Sequence, residues 1–161
     1  MTAADLDAVR AIFNHAVEHT TAVWTETPRS DSAQRAWYEE KQAGDWPTLV
    51  AEAAGAVVGF AAVGPFRPQP GFRETAEHSV YVAPTAQGRG VGRALLTALL
   101  DRAPAAGLRC LIGVLSADNA ASLKLHAALG FEEVGRLPGV GVKWNRRLDA
   151  VFVQRALNEA A

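Results

Sequence analysis

At 161 residues, nearly half of them hydrophobic, the chain is long enough for one domain with a core of its own. A net charge of −1 gives no electrostatic footprint for nucleic acid, and no apolar run is long enough to span a membrane. The start, MTAADLDAVRAIF, carries acids early and does not read as a signal peptide, so a soluble cytoplasmic protein is expected.

Thr2 and Asp5 read as a helix start. Leu6, Val9, Ile12, Phe13, Ala16 and Val17 then recur at helical spacing and predict a helix over 4–19. His15 and His19 lie one turn apart on it. With no cysteine pair nearby they read as surface or packed histidines rather than zinc ligands. Residues 20–28, TTAVWTETP, read as a loop or short extended piece. It carries Trp24 and Glu26 toward a pocket, or simply packs Trp24 on the core. A second helix fits 30–44, with Ser32 as its cap and Trp37, Glu40 and Lys41 along it. Residues 48–53 and 56–64 are apolar, flank Gly55 and read as a β-hairpin. The proline-rich PFRPQPG that follows shapes a substrate pocket or serves as a stiff connector.

The central stretch is EHSVYVAPTAQGRGVGRALLTALL. Ser79, Val80, Tyr81 and Val82 favour a strand, and Pro84 stops ladder pairing. Val91, Leu95, Leu96, Leu99 and Leu100 fall on one side of a helix. Between strand and helix stand Gly88, Arg89, Gly90, Val91, Gly92 and Arg93. Glycines let a ligand approach the backbone, and first-turn amides lack partners within their helix. With the helix dipole and two arginines they make an anion site suited to a phosphate or pyrophosphate. The P-loop Gly-Lys-Ser/Thr is absent, and Gly-x-Gly-x-Gly is not the Rossmann spacing. A plain glycine-rich helix cap remains the bland alternative.

Pro104 and Gly107 end that helix. Residues 110–115 are fully apolar and read as a central strand that buries Cys110 as an inert thiol. A helix follows over 120–129, closed by Gly130. Strands are expected over 131–137 and 149–157, with 138–148 between them, and the last four residues are expected to fray.

Gln87-x-x-Gly90-x-Gly92 after a strand resembles the acetyl-CoA loop of the GNAT superfamily of N-acyltransferases. The element order is similar to that fold, which implies an α/β (α+β) architecture: a mixed, mostly antiparallel sheet flanked by helices. Phe66-Arg67-Pro68, Phe72-Arg73, Glu77 to Val82, Asn119-Ala120-Ala121-Ser122, Leu125-His126, Leu129-Gly130-Phe131, Gly141-x-Lys143 and Leu148-Asp149 stand together. This set resembles the phosphinothricin and methionine sulfoximine N-acetyltransferases over nearly the whole chain. The resemblance implies acetyl-CoA as co-substrate, an amino-acid-like amine as acceptor, and a homodimer. It places the pyrophosphate on the Gly88 to Arg93 loop and the pantetheine arm along Val80, Tyr81 and Val82. Asn119 becomes a further acetyl-CoA contact, and Arg67, Pro68, Gln69, Glu77, His78 and Ser79 line the acceptor pocket.

The chain also departs from that family. Its members begin with a strand before the first helix, so here either the start is late or the edge strand is dispensable. Asn145-Arg146-Arg147 replaces Gly-Arg-Trp, which bears on the substrate pocket or a subunit contact, and Ala76 stands where valine is common.

Acetyl transfer to an amine needs a base, because an α-amine with a pKa near or above roughly 8 is mostly protonated at neutral pH. Glu77 is the candidate base, or alternatively the carboxylate that binds the acceptor's ammonium. A backbone N–H near Tyr81 or Val82 would face the carbonyl oxygen as it gains charge. His126 is the candidate acid for the departing thiolate, or a histidine packed near the cofactor; His78, on the other face of the strand, reads as structural. Arg67 and Arg73 either pair with the acceptor's carboxylate or are surface arginines. No metal cluster is read, and the chemistry needs none. Two other readings stand beside this one: a non-catalytic acyl-CoA-binding module, and an enzyme whose acceptor is a protein N-terminus or a polyamine.

Overall fold

The computed structural model describes residues 1–157. The expected fraying of the last four residues lies outside the described residues. Four helices flank one six-stranded sheet of order β1-β2-β3-β4-β6-β5. Every neighbouring pair is antiparallel except β3 with β4.

Helix α1 spans Leu6–His19 after a short 3-10 turn, and α2 spans Asp31–Ala43. The cap of α2 is Ser30, whose side chain accepts from Ala33 N, and not Ser32. Strands β1 (Thr48–Ala53) and β2 (Ala56–Pro65) form the expected hairpin. No strand precedes α1 among the described residues; β1 is the edge on that side.

Strand β3 (Thr75–Val82) sorts its side chains to two layers. Tyr81 packs with Phe60, Val9, Ile12 and Phe13 under α1 and α2. Ala76 and Val80 pack on the other face with Leu95, Leu96, Leu99 and Leu100 of α3 (Val91–Arg102). Burying each such leucine contributes about 2 kcal/mol. The layer continues through Leu111 of β4 (Cys110–Ser116) and Phe131, which follows α4 (Ala120–Ala128). Cys110 itself is only half-buried, and burial pushes its thiol pKa up.

The last hairpin corrects the sequence reading. Strand β5 runs Glu132–Lys143 and β6 Arg146–Ala156, so residues 138–148 are mostly strand. Pro138, Gly139 and Gly141 suggest a loop, but the ladder absorbs them in a bulge between Leu137 and Gly141. Only Trp144 and Asn145 turn, both with positive φ (50° and 57°), as a two-residue hairpin loop requires.

Candidate active site

The sheet parts down its middle. Strands β3 and β4 pair only at Thr75↔Cys110, Ala76↔Leu111 and Glu77↔Ile112. Beyond that point residues 78–82 and 113–116 run on without a shared ladder. A parted ladder exposes amide and carbonyl groups that need partners. At the fork the His78 ring lies over Gly113, so close that a Cβ there would be 2.9 Å from its Cε1.

A cavity of about 260 Å³ opens in this fork. Its walls include Glu77, Ser79, Tyr81, Trp24, Asn119 and His126. Thus Glu77, His78, Ser79, Val80, Tyr81, Asn119 and His126 are brought together, although they lie on three separate elements. Val82 continues the same strand to the mouth of the glycine loop.

That loop ends at the start of α3. Gly88 and Gly90 hold φ of 73° and 81°, a left-handed backbone that side chains resist, and nothing lies within 4 Å of a Cβ built on either. Gly92 differs: a Cβ there would meet Leu125 at 3.3 Å, so it allows α3 to sit close to α4. Arg89 and Arg93 are exposed beside the free first-turn amides.

Glu77 is half-buried and lines the fork, its carboxylate without a hydrogen bond among the described residues. Burial raises its carboxyl pKa, while the positive charge of Arg67 lowers it. Arg67 itself is exposed, stacked 4.2 Å from the Phe66 ring centroid, with Nη1 donating to Phe66 O (2.7 Å). Pro68 and Gln69 are exposed and line neither this cavity nor a second one beside α2. Arg73 lies outside both as well, paired with Glu74 at 3.4 Å.

The two histidines form a bonded pair. His126 Nδ1–H donates to Ser122 O (2.7 Å), which leaves its Nε2 to accept from His78 Nε2–H (2.8 Å). Burial lowers both pKa values, that of His78 to about 3 with help from the neighbouring His126. Both rings are therefore neutral at physiological pH. His78 Nδ1 is buried with no partner among the described residues.

Trp24 reaches the cavity as expected, whereas Glu26 turns away and accepts from Trp144 N (2.7 Å). What holds this loop was not visible in the sequence. Lys143 is fully buried, and its Nζ donates to Val17 O, Thr20 O and Val23 O, each at 2.6 Å. Trp24 lies flat on Gly141, where a side chain would collide with its ring. Lysine and glycine two apart thus seat the tryptophan wall from beneath. The available signals were the Gly141-x-Lys143 motif and a lysine that follows the apolar run 140–142.

His15 and His19 stack at 4.3 Å with His19 Nδ1 on His15 O, well apart from the fork. Among the described residues no group of three His, Cys, Asp or Glu side chains is placed to hold a metal ion.

Comparison with known proteins adds an independent line. Residues 9–131 match the model of the acetyltransferase (GNAT) family. The L-methionine sulfoximine/L-methionine sulfone acetyltransferase of Salmonella typhimurium is 45% identical over 158 residues, 98% of this chain and 92% of that one. The phosphinothricin N-acetyltransferase of Alcaligenes faecalis is 44% identical over 155 residues, 96% of this chain and 79% of that one. Among solved structures, a GNAT superfamily phosphinothricin acetyltransferase from Sinorhizobium meliloti in complex with acetyl-CoA superposes with a TM-score of 0.95. It is 37% identical, across 98% of this chain and 85% of that one.

Proposed function

Since this chain belongs to the GNAT acetyltransferase family and is an acetyl-CoA-dependent N-acetyltransferase, we propose that it acetylates the amine of a small amino-acid-like acceptor in the fork between β3 and β4. The observation that carries the reading is Glu77. It is a half-buried carboxylate with a raised pKa, placed at the last paired residue before the sheet opens. Methionine sulfoximine, methionine sulfone and phosphinothricin are the acceptors to try first, after the names of the relatives.

Acetyl-CoA supplies the activated acyl carbonyl. The amides at Gly88, Arg89, Gly90, Val91, Gly92 and Arg93 would hold its pyrophosphate, and the open edges of Val80, Tyr81 and Val82 its pantetheine arm. Asn119 already caps α4 by accepting from Ser122 N (3.1 Å), and presents the rest of its amide to the fork. The open amides and the clear space beside Gly88 and Gly90 suit such a ligand.

Glu77 takes a proton from the acceptor's ammonium and releases it to solvent. A raised pKa brings a carboxylate closer to the amine's and makes that transfer less uphill. Val82 N–H, on the edge of β3 that β2 leaves open, would face the carbonyl oxygen as it gains charge; Tyr81 N–H points to β2, two residues from Ala83 N, which donates to Val58 O (2.8 Å). The amine's second proton balances the one that ends on sulfur. His126, the sequence candidate for that acid, is assigned instead to packing beside the cofactor, because its single ring proton is held on Nδ1 by Ser122 O (2.7 Å) and a neutral imidazole does not yield it to a thiolate; the proton reaches sulfur through solvent. His78 and Ser79 line the acceptor side, and Arg67, stacked on Phe66, puts its positive charge near Glu77. Pro68, Gln69 and Arg73 act only if the loop folds inward around a bound acceptor.

We also place the enzyme in the cytoplasm, as a homodimer. Val140 and Val142 face outward on the edge strand β5, with Trp144 exposed in the turn that follows, while Gly141 and Lys143 turn in. With Val134 and Leu137 they leave an apolar row suited to a second copy. Light scattering tests that part.

The function is tested by thiol release from acetyl-CoA with the three acceptors, an N-terminal peptide and spermidine. Turnover with at least one of the three small acceptors, and not with the last two, is expected. Cofactor binding without any turnover would instead favour a binding module.

A further inference from the structure

Two lysines of this chain are withdrawn from solvent, and only one of them is saturated. Lys143 spends all three protons on carbonyl oxygens. Lys41, on α2, is 9% exposed. Its Nζ has one contact among the described residues, Glu40 Oε1 at 3.4 Å, on a carboxylate that is itself 64% exposed. Two of its protons have no acceptor among the described residues.

The location of that ammonium is informative. It is held over Gly64, where a Cβ would lie 2.5 Å from Nζ. Gly64 is the register partner of Glu77 across β2 and β3. Partners in an antiparallel pair hold their Cβ atoms about 5 Å apart on the same side of the sheet. Nζ therefore fills the side-chain space immediately beside that of Glu77. Lys41, Glu77, Trp37 and Ser79 line a second cavity of about 320 Å³ on the α2 side, and Glu77 and Ser79 are walls of the fork as well. Withdrawing an ammonium from water is costly unless a partner takes its protons. An arriving anion would be that partner.

We propose that Lys41 binds the α-carboxylate of the acceptor while the α-ammonium faces Glu77. An α-amino acid carries its two charged groups on one carbon, and an ammonium reaching from α2 over Gly64 beside the carboxylate of the facing Glu77 suits that arrangement. The proposal rests on the acetyl-transfer reading and deepens it: the site selects an α-amino acid over a plain amine. Arg67, exposed at the mouth, is then left for the polar far end of the acceptor.

Lys41→Met keeps the side chain's length and removes its charge. The comparison is between L-methionine sulfone and its decarboxylated amine, each with acetyl-CoA, in wild type and variant. The preference for the amino acid, as a ratio of the two kcat/KM values, is expected to fall roughly 10- to 100-fold and mainly through KM. Gly64→Ala, which crowds Nζ, should shift the ratio the same way. An unchanged ratio, with both acceptors affected alike, would mean that Lys41 only supports the fold. Calorimetric titration of free enzyme with methionine sulfone separates the two claims. Binding that weakens in Lys41→Met supports the subsite even if wild type transfers nothing, in which case the acetyl-transfer reading fails alone. Binding equal in both proteins, or absent from wild type, overturns the subsite.

Discussion

His78 and His126 come from elements 48 residues apart in sequence, yet their Nε2 atoms stand 2.8 Å apart. Neither ring can charge cheaply in the fold. For His78 the folded pKa is about 3, against an ordinary 6.5. A depressed pKa gives stability that is complete above the unfolded value and is lost as pH falls through the folded one. Acid should therefore unfold this protein early. Between pH 7 and pH 5 the pair should cost about 2 kcal/mol of stability. Urea denaturation at the two pH values measures this, and His78→Phe should flatten the slope.

Glu77 works in the opposite direction. Burial raises its pKa, so its share of stability is present below the ordinary carboxylate range and is lost as pH rises through the folded value. At neutral pH its charge costs stability. Glu77→Gln should raise the melting temperature while removing activity, and the gain should shrink as pH is lowered. A thermal scan at pH 5 and pH 8 checks both statements.

Lys143→Met should act on the fold first. It strips the charge from three carbonyl contacts that anchor the end of α1 and the Trp24 loop. A loss of about 3 kcal/mol is expected, because buried acceptors are left unpaired. The acceptor KM should rise more than the acetyl-CoA Kd, since the loosened loop walls the fork and not the glycine cradle. Denaturant titration and steady-state kinetics give the two numbers.

Much of this was legible in the sequence where the signal is local. Gly88 and Gly90 announce a left-handed turn before a helix, and the α3 leucines announce the face that buries. The β3 alternation put Glu77 and His78 on opposite faces correctly. What was hidden depends on distant partners. The His78–His126 bond joins a strand to a helix that only the fold brings together. Trp144 and Asn145 adopt positive φ without glycine, so the hairpin looked like a loop. Lys143 defies the rule that lysines face water, because three carbonyls happen to converge on it. Arg73 read equally as a carboxylate-binding or a surface arginine, and only its pairing with Glu74 (3.4 Å) shows it on the surface.

The glycine cradle has its own test. Gly90→Val places a branched side chain at φ 81°, a strain of roughly 1–3 kcal/mol, and fills space that lies open in the loop. Acetyl-CoA affinity should fall at least about 10-fold by calorimetry. Acceptor affinity should be unaffected, because Gly90 lines neither cavity.

Glu77 as the group that takes the acceptor's proton is best tested by the rate of thiol release in Glu77→Gln, with L-methionine sulfone and saturating acetyl-CoA. A kcat at least roughly 100-fold below wild type is expected, with the acetyl-CoA Kd unchanged. A variant that turns over within a few-fold of wild type would contradict it.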